Sequence, residues 1–371
     1  MLKPNYNNSI MSITNSILKH YGAKPYHATL PIVDDLLESD YKNVVLLVMD
    51  GMGINVLVRN LPENAFLRKH IKAEISSVFP PTTTAATVSI LTGKAPAEHG
   101  WIGWSCYFKE VDKCIDLFSN CESGVGTPAS EKHLPYNILP YDSIFSLLGD
   151  KVRTCAVWPF SRQYFADTME GICNHVKKLC SEGGEKFIYA YHHQPDQNIH
   201  NFGISANRVS EMMSNYNNQL EMLANEVSDT LFLITADHGM ADITMKCVED
   251  YPKINDALIR HICVEPRCCS LYVKDEYIAA FPKIFSEIFP DKFLLFTHDE
   301  FLQSSLLGDG MHHPKIEDFV GDYVAVAISD IALWYKDING EFNNFKASHA
   351  GLLKEELTVS LIVIKKDYLG G

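Results

Sequence analysis

Three apolar runs in this chain each lead into a polar turn that carries an aspartate. Residues 44–49 read VVLLVM and run into Asp50-Gly51-Met52-Gly53. Residues 186–191 read KFIYAY and run into His192-His193-Gln194-Pro195-Asp196. Residues 231–235 read LFLIT and run, through Ala236, into Asp237-His238-Gly239. A strand that is apolar at consecutive positions is covered on both faces, as in a parallel sheet flanked by helices. Helical patterns lie between the runs, at 84–91, 143–148 and 205–227, so the chain reads as an α/β protein with a mostly parallel sheet. In such sheets ligands sit beyond the carboxyl ends of the strands, where the three aspartates fall. Two further runs, 322–328 and 358–364, are expected to complete the sheet. Residues 246–315 break the rhythm and read as a small inserted α+β subdomain over a core of 1–245 plus 316–371.

The bulk numbers narrow the partners. The 371 residues carry a formal charge of −14 and are 46% hydrophobic. Such acidity disfavours nucleic acid polymers and anionic membranes, although a metal site can still hold an anionic small molecule. The N-terminal stretch has no continuous apolar core of a secretory signal, and no run of about 18 apolar residues is present to span a bilayer. The ten cysteines are scattered without zinc-finger spacing, and Cys268-Cys269 are adjacent, an awkward geometry for a mutual bridge. Reduced thiols and a cytoplasmic location are the expectation.

Several polar groups stand out against this frame. Each has a simpler structural role when taken singly. Asp50 in a post-strand turn is more often a turn or cap residue than a ligand. The run Pro80-Pro81-Thr82-Thr83-Thr84 opens a helix, and its threonines suit capping. A hydroxyl at a helix N-terminus is also well placed to attack a phosphate, given a metal or base to ionise it. Asp196 and His200 share a helix face at four-residue spacing, a pairing that suits a divalent metal, with His192 and His193 as alternatives. Asp237 and His238 are adjacent, and His349 lies in the small-residue turn Ser348-His349-Ala350-Gly351. Together these supply three carboxylates, three imidazoles and a hydroxyl, a ligand set for two metals, which can clamp the attacking and leaving oxygens of a displacement.

The stretches VVLLVMDGMG, FPPTTTAATVSILTGKAPAEHG, WPFS, PDQNIHNFG, TADHGM and SHAG, in this order, resemble the motifs of the alkaline phosphatase superfamily. The branch they resemble is that of the type I phosphodiesterases and nucleotide pyrophosphatases, with phosphonoacetate hydrolase a near relative. The resemblance implies an alkaline phosphatase-like three-layer fold and two divalent metal ions, zinc first, with manganese or iron as alternatives. It implies Asp196, His200 and His349 as ligands of one ion and Asp50, Asp237 and His238 as ligands of the other. Its nucleophile lies nine residues before the Thr of the Thr92-Gly93 pair, which points to Thr83, also on the metal, with Thr82 and Thr84 as the neighbouring choices. Trp104 stands where the nucleotide pyrophosphatases carry an asparagine that holds the phosphoryl oxygen. Thr84 stands where they place an aromatic after the nucleophile. Tyr191 matches the opposing aromatic. These three are the expected substrate contacts.

The implied activity is hydrolysis of phosphodiester or pyrophosphate bonds in small molecules through a covalent phosphothreonine. A carbon–phosphorus hydrolase on the same site is the enzymatic alternative, and a metal-binding protein without turnover is the alternative of another class. A sulfatase lacks support, because no Cys/Ser-x-Pro-x-Arg motif is present, and the phosphomutases normally use serine and a larger insertion.

Overall fold

The computed structural model describes residues 3–367. Its central sheet has six strands in the spatial order Ile71–Ser76, Thr358–Lys366, Thr230–Thr235, Asn43–Met49, Lys186–His192, Arg153–Val157. The last four are mutually parallel, and Thr358–Lys366 runs antiparallel to both of its neighbours. Asn43–Met49 and Lys186–His192 are buried at every position, as expected of inner parallel strands whose two faces are both covered. The helices Met169–Ser181 and Asn207–Glu226 pack together beside the sheet. The apolar side chains of these strands and helices form the largest buried cluster.

A second sheet is wholly antiparallel and has seven strands in the order Phe293–Thr297, Tyr323–Ala327, Cys268–Leu271, Cys263–Glu265, Ser105–Phe108, Lys113–Asp116, Cys121–Glu122. This corrects one expectation: residues 322–328 do not return to the central sheet. The second sheet draws strands from residues 105–122 and 323–327 as well as from 246–315. The physical reason is burial on both faces. Val324 and Val326 enter one apolar cluster, whereas Tyr323 and Ala325 enter another, with Phe281 and Phe285. An antiparallel strand so covered has the unbroken apolar pattern of a parallel one.

The second sheet also corrects the expectation of ten reduced thiols. Cys114 and Cys263, 149 residues apart in the chain, are joined in a disulfide with their Cα atoms 6.4 Å apart. Strand pairing brings their two segments to either side of Ser105–Phe108. No helix among the described residues is long and apolar enough to cross a membrane.

Candidate metal centre

The parallel strands end in register, with Met49 beside His192 and Val48 beside Thr235. Their following turns are therefore neighbours and are stitched together. The Asp50 N–H donates to the His192 carbonyl at 2.9 Å, the Asp196 N–H to the Asp50 carbonyl at 3.1 Å, and the Gly51 N–H to Asp237 Oδ1 at 3.1 Å. Gly51 is required here. Its φ is +70°, and a Cβ at this position would lie 2.9 Å from the Asp196 Cβ, so a side chain would both strain the turn and push on a ligand. His349 arrives from elsewhere, directly after the short strand Ala347–Ser348 that pairs with Ala241–Asp242 just beyond His238.

The result is two overlapping groups of ligand atoms. Asp196, His200 and His349 form one, and Asp50, Asp196 and His238 the other, each with its ligand atoms within 4.8 Å of one another. Asp237 adjoins the second group, its Oδ2 being 3.6 Å from His238 Nε2. His200 Nε2 is 3.3 Å from Asp196 Oδ1, His349 Nε2 is 3.8 Å from the same oxygen, and His238 Nε2 is 3.4 Å from Asp50 Oδ1. Tetrahedral ligands about 2 Å from zinc lie roughly 3–3.5 Å apart, so these separations fit a metal. His192 and His193, the alternatives, belong to neither group. His192 is buried with its Nε2 on the Tyr216 hydroxyl at 3.0 Å.

Three further observations fit divalent cations. Each ligand imidazole turns its Nδ1 to a backbone carbonyl: His200 to Ala347 at 2.8 Å, His238 to Gly239 at 3.0 Å and His349 to Pro81 at 3.1 Å. A carbonyl accepts only, so Nδ1 carries the hydrogen and Nε2 is left with its lone pair facing the centre, as metal-binding histidines require. The carboxylates are also under-satisfied, because Asp196 Oδ1 and Asp237 Oδ2 are buried without a hydrogen-bond partner. Burial, with the Asp237 and Asp196 charges next, pushes the Asp50 carboxyl well above its usual range, and burial raises Asp237 as well. Burial and the neighbouring His238 push His349 well below its usual value. For Asp196, burial alone would raise the carboxyl, but His200 and His349 hold it below the usual range. Two buried carboxylates and the half-buried Asp196 in one place call for cationic charge, which bound metals would supply.

Thr83 is the first residue of the helix Thr83–Thr92. Its Oγ1 lies 3.4 Å from Asp50 Oδ1 and 3.3 Å from His238 Nε2. The neighbouring threonines are engaged otherwise. The Thr82 hydroxyl donates to Glu265 Oε1 at 2.5 Å, and Thr84 is fully buried with its hydroxyl unpaired.

The expected substrate contacts divide. Trp104 lines the cavity that opens beside Thr83, together with Asp196, His200 and His349. Thr84 is not among the residues that line it. Helix packing turns this side chain into the interior. Tyr191 does not line it either. It is buried, and its hydroxyl donates to Asp50 Oδ2 at 2.5 Å.

One site residue escaped the sequence reading. Glu265 is 3% exposed, lines the cavity, and takes both the Thr82 hydroxyl and the Trp104 N–H, at 2.7 Å, on one oxygen. Burial pushes its carboxyl up to about 7. The available signal was a lone acid inside the apolar strand Cys263–Glu265, a placement that costs free energy unless the acid is used.

Comparison with known proteins agrees with this geometry. The sequence profile of the family described as type I phosphodiesterase / nucleotide pyrophosphatase matches residues 44–123 and 140–285, more than half of the chain. No curated protein sequence matches. Among solved structures, murine ectonucleotide pyrophosphatase / phosphodiesterase 5, as an inactive variant with AMP, superposes with a TM-score of 0.64 at 14% identity, covering 88% of this chain and 91% of that one. The human form superposes with the same TM-score and identity, covering 88% and 90%. Phosphonoacetate hydrolase from Sinorhizobium meliloti 1021, with phosphonoformate, gives 0.61 at 17% identity, covering 88% and 90%. The structural likenesses bear on the fold, and the profile carries the descent: the chain belongs to the type I phosphodiesterase / nucleotide pyrophosphatase family, within the alkaline phosphatase superfamily.

Proposed function

We propose that the protein hydrolyses phosphoric diesters of small molecules with Thr83 as the nucleophile. The observation that carries this reading is the position of Thr83 Oγ1, within 3.4 Å of Asp50 and His238, in a residue that lines one cavity with Asp196, His200 and His349. Asp196, His200 and His349 would hold one divalent ion, and Asp50, Asp237 and His238 the other. When bound, such ions lower the pKa of the hydroxyl and neutralise charge on the phosphoryl oxygens and the leaving oxygen.

The chain's own groups do the rest. The helix that starts at Thr83 directs its unpaired N–H groups and positive dipole end toward the phosphate. Thr83 gives up its proton as the Oγ–P bond forms and the ester P–O bond on the far side breaks, releasing the alcohol. Water then cleaves the Oγ–P bond and restores the hydroxyl. Tyr191 holds Asp50 through its hydroxyl, and the three backbone carbonyls hold the imidazoles, so the ligand set needs no rearrangement. Among the described residues no lysine or arginine lines the cavity, which leaves a second anionic group, as in a pyrophosphate or phosphonoacetate, without a side-chain counter-charge. That favours diesters over both. AMP, bound by the murine relative, carries one phosphate and is compatible with such a cavity.

The test is turnover of bis(p-nitrophenyl) phosphate by zinc-loaded protein, with acid quench and mass spectrometry of the peptide that contains residue 83. A phosphoryl adduct on that peptide supports the reading. Absence of turnover with zinc, manganese and iron alike would reject it.

A further inference from the structure

The helix that carries Thr83 begins without a side-chain cap. Its N-cap residue, Thr82, is extended, and the Thr82 hydroxyl makes no capping hydrogen bond. In that position a threonine oxygen ordinarily accepts from the second or third helical N–H, here those of Thr84 and Ala85. The hydroxyl instead donates to Glu265 Oε1 at 2.5 Å. The Ala86 N–H donates to the Thr82 carbonyl at 2.9 Å, and among the described residues the N–H groups of Thr84 and Ala85 have no partner. Thr82 and Glu265 are 1% and 3% exposed. The exchange of partners therefore takes place in the interior, beside the cavity that Thr83 and Glu265 both line.

Glu265 is held in place for this contact. Its Oε1 also accepts the Trp104 N–H at 2.7 Å. Val264, next to it in the strand Cys263–Glu265, has a φ of +79°, an outlying conformation for a β-branched residue. Val264 pairs with Cys269 on one side and Ser105 on the other. The Gly103 backbone comes so close that a Cβ there would lie 2.6 Å from Val264 Cγ1 and 2.8 Å from the Val264 carbonyl oxygen. A buried acid, a strained valine and a forgone helix cap each cost stability. An apolar residue at 265 and a capping Thr82 would pack the same interior without those costs. Their persistence together, beside the candidate nucleophile, points to a use.

We infer that Glu265 is a positioning residue for Thr83. By holding the Thr82 hydroxyl away from the helix start, it keeps the Thr84 and Ala85 N–H groups free for a phosphoryl oxygen and fixes the backbone from which Thr83 attacks. It acts through Thr82. Without an acceptor at 265, the Thr82 side chain can rotate to cap the helix and occupy the donors that a phosphate would use. The inference rests on the hydrolase reading for the presence of a phosphate, and on the hydrogen bonds alone for the state of the helix start.

The experiment is a mutant cycle on zinc-loaded protein with two readouts, turnover of bis(p-nitrophenyl) phosphate and calorimetric binding of orthovanadate. Glu265→Leu keeps the side chain's bulk but cannot accept, and the Trp104 N–H retains the Val264 carbonyl at 3.1 Å. This variant should lose about 10²-fold in kcat, as loss of an oxyanion donor does, with KM changed far less. Its orthovanadate binding should weaken about tenfold. Adding Thr82→Val, which cannot cap, should bring both readouts back to within about threefold of Thr82→Val alone. Glu265→Gln, whose amide oxygen can accept from Thr82, should lose less than Glu265→Leu, and Glu265→Ala serves in its place if the leucine variant does not fold. A purely structural role predicts instead that the second substitution adds to the first. Unchanged turnover and orthovanadate binding in Glu265→Leu, or no recovery in the double variant, would overturn the inference while normal turnover left the hydrolase reading intact. A protein that hydrolyses no diester, yet loses orthovanadate in Glu265→Leu and regains it in the double variant, would sink the hydrolase reading and leave the role of Glu265 standing. Wild-type protein that neither turns over the diester nor binds orthovanadate would reject both.

Discussion

Arg267 and Glu356 form a two-point ion pair in the interior, with Nε to Oε1 at 2.6 Å and a second guanidinium nitrogen to Oε2 at 2.8 Å. Both side chains are fully buried. The same carboxylate accepts the N–H of Gly351 at 2.7 Å and of Leu353 at 3.0 Å. Arg267 lies beside the second sheet, and Gly351 closes the turn that carries His349, so the pair ties that sheet to a candidate metal ligand. Arg267→Ala should cost about 3–5 kcal/mol, because it leaves a carboxylate buried without its partner. Urea unfolding measures the loss, and zinc titration should show weaker binding through His349. A variant within about 1 kcal/mol of wild type would show that the pair contributes little.

Thr83→Ala should lower phosphodiester turnover by about 10³ or more, as removal of a covalent nucleophile does, while two-metal binding persists. Thr84→Ala removes a buried hydroxyl that has no partner, so both stability and turnover should change little. Thr82→Ala frees Glu265 and should act more mildly than Thr83→Ala. Steady-state kinetics on the three variants decides the register. Loss of turnover in Thr84→Ala with retention in Thr83→Ala would contradict the geometry.

Glu265 provides a pH test on metal-free protein. Burial raises its carboxyl to about 7 in the fold, above the ordinary glutamate value of about 4.3 expected of the unfolded chain. Between these values the folded state holds a proton that the unfolded state has released. Its contribution therefore makes stability fall as pH rises through this window, by at most about 1.4 kcal/mol per pH unit, with no further loss above it. Urea midpoints from pH 4 to 8 should show a weaker fall in Glu265→Gln, whose amide oxygen can still accept from Thr82. Parallel profiles for the two proteins would place the raised carboxyl elsewhere.

Metal removal should destabilise the whole fold. Asp50 and Asp196 share one candidate ligand group and Asp237 adjoins it, so bound cations would offset their charge in the folded state. Elemental analysis should find about two divalent ions per chain, and chelation should lower stability by about 3 kcal/mol or more relative to protein in zinc at a hundredfold excess over Kd. His349→Ala and Asp237→Ala should each lower occupancy. Identical melting curves with and without chelator would argue against a metal centre here.

Asp50, Asp196, Asp237 and His238 stood out in the sequence because they lie in the turns that follow apolar runs, and a run covered on both faces is a local signature of an inner parallel strand. Strand ends of one sheet lie together, so position along the chain became position in space with little further information. The strand Tyr323–Ala327 shows where that reasoning stops. Its apolar pattern records that both faces are covered, but not by what, and pairing with Cys268–Leu271 is a choice among distant partners. Residues 105–122 and the Cys114–Cys263 bridge follow from the same choice. Among the three threonines, side-chain chemistry is identical, and the sequence offered only a resemblance to order them. Tertiary structure separates them by partners more than 30 residues away: Asp50 and His238 for Thr83, Glu265 for Thr82, and none for Thr84. Local pattern determines which segments become strands and which polar groups lie at their ends, since burial acts residue by residue. Which strand neighbours which, and which hydroxyl meets the metal ligands, depends on contacts between segments that no local pattern encodes.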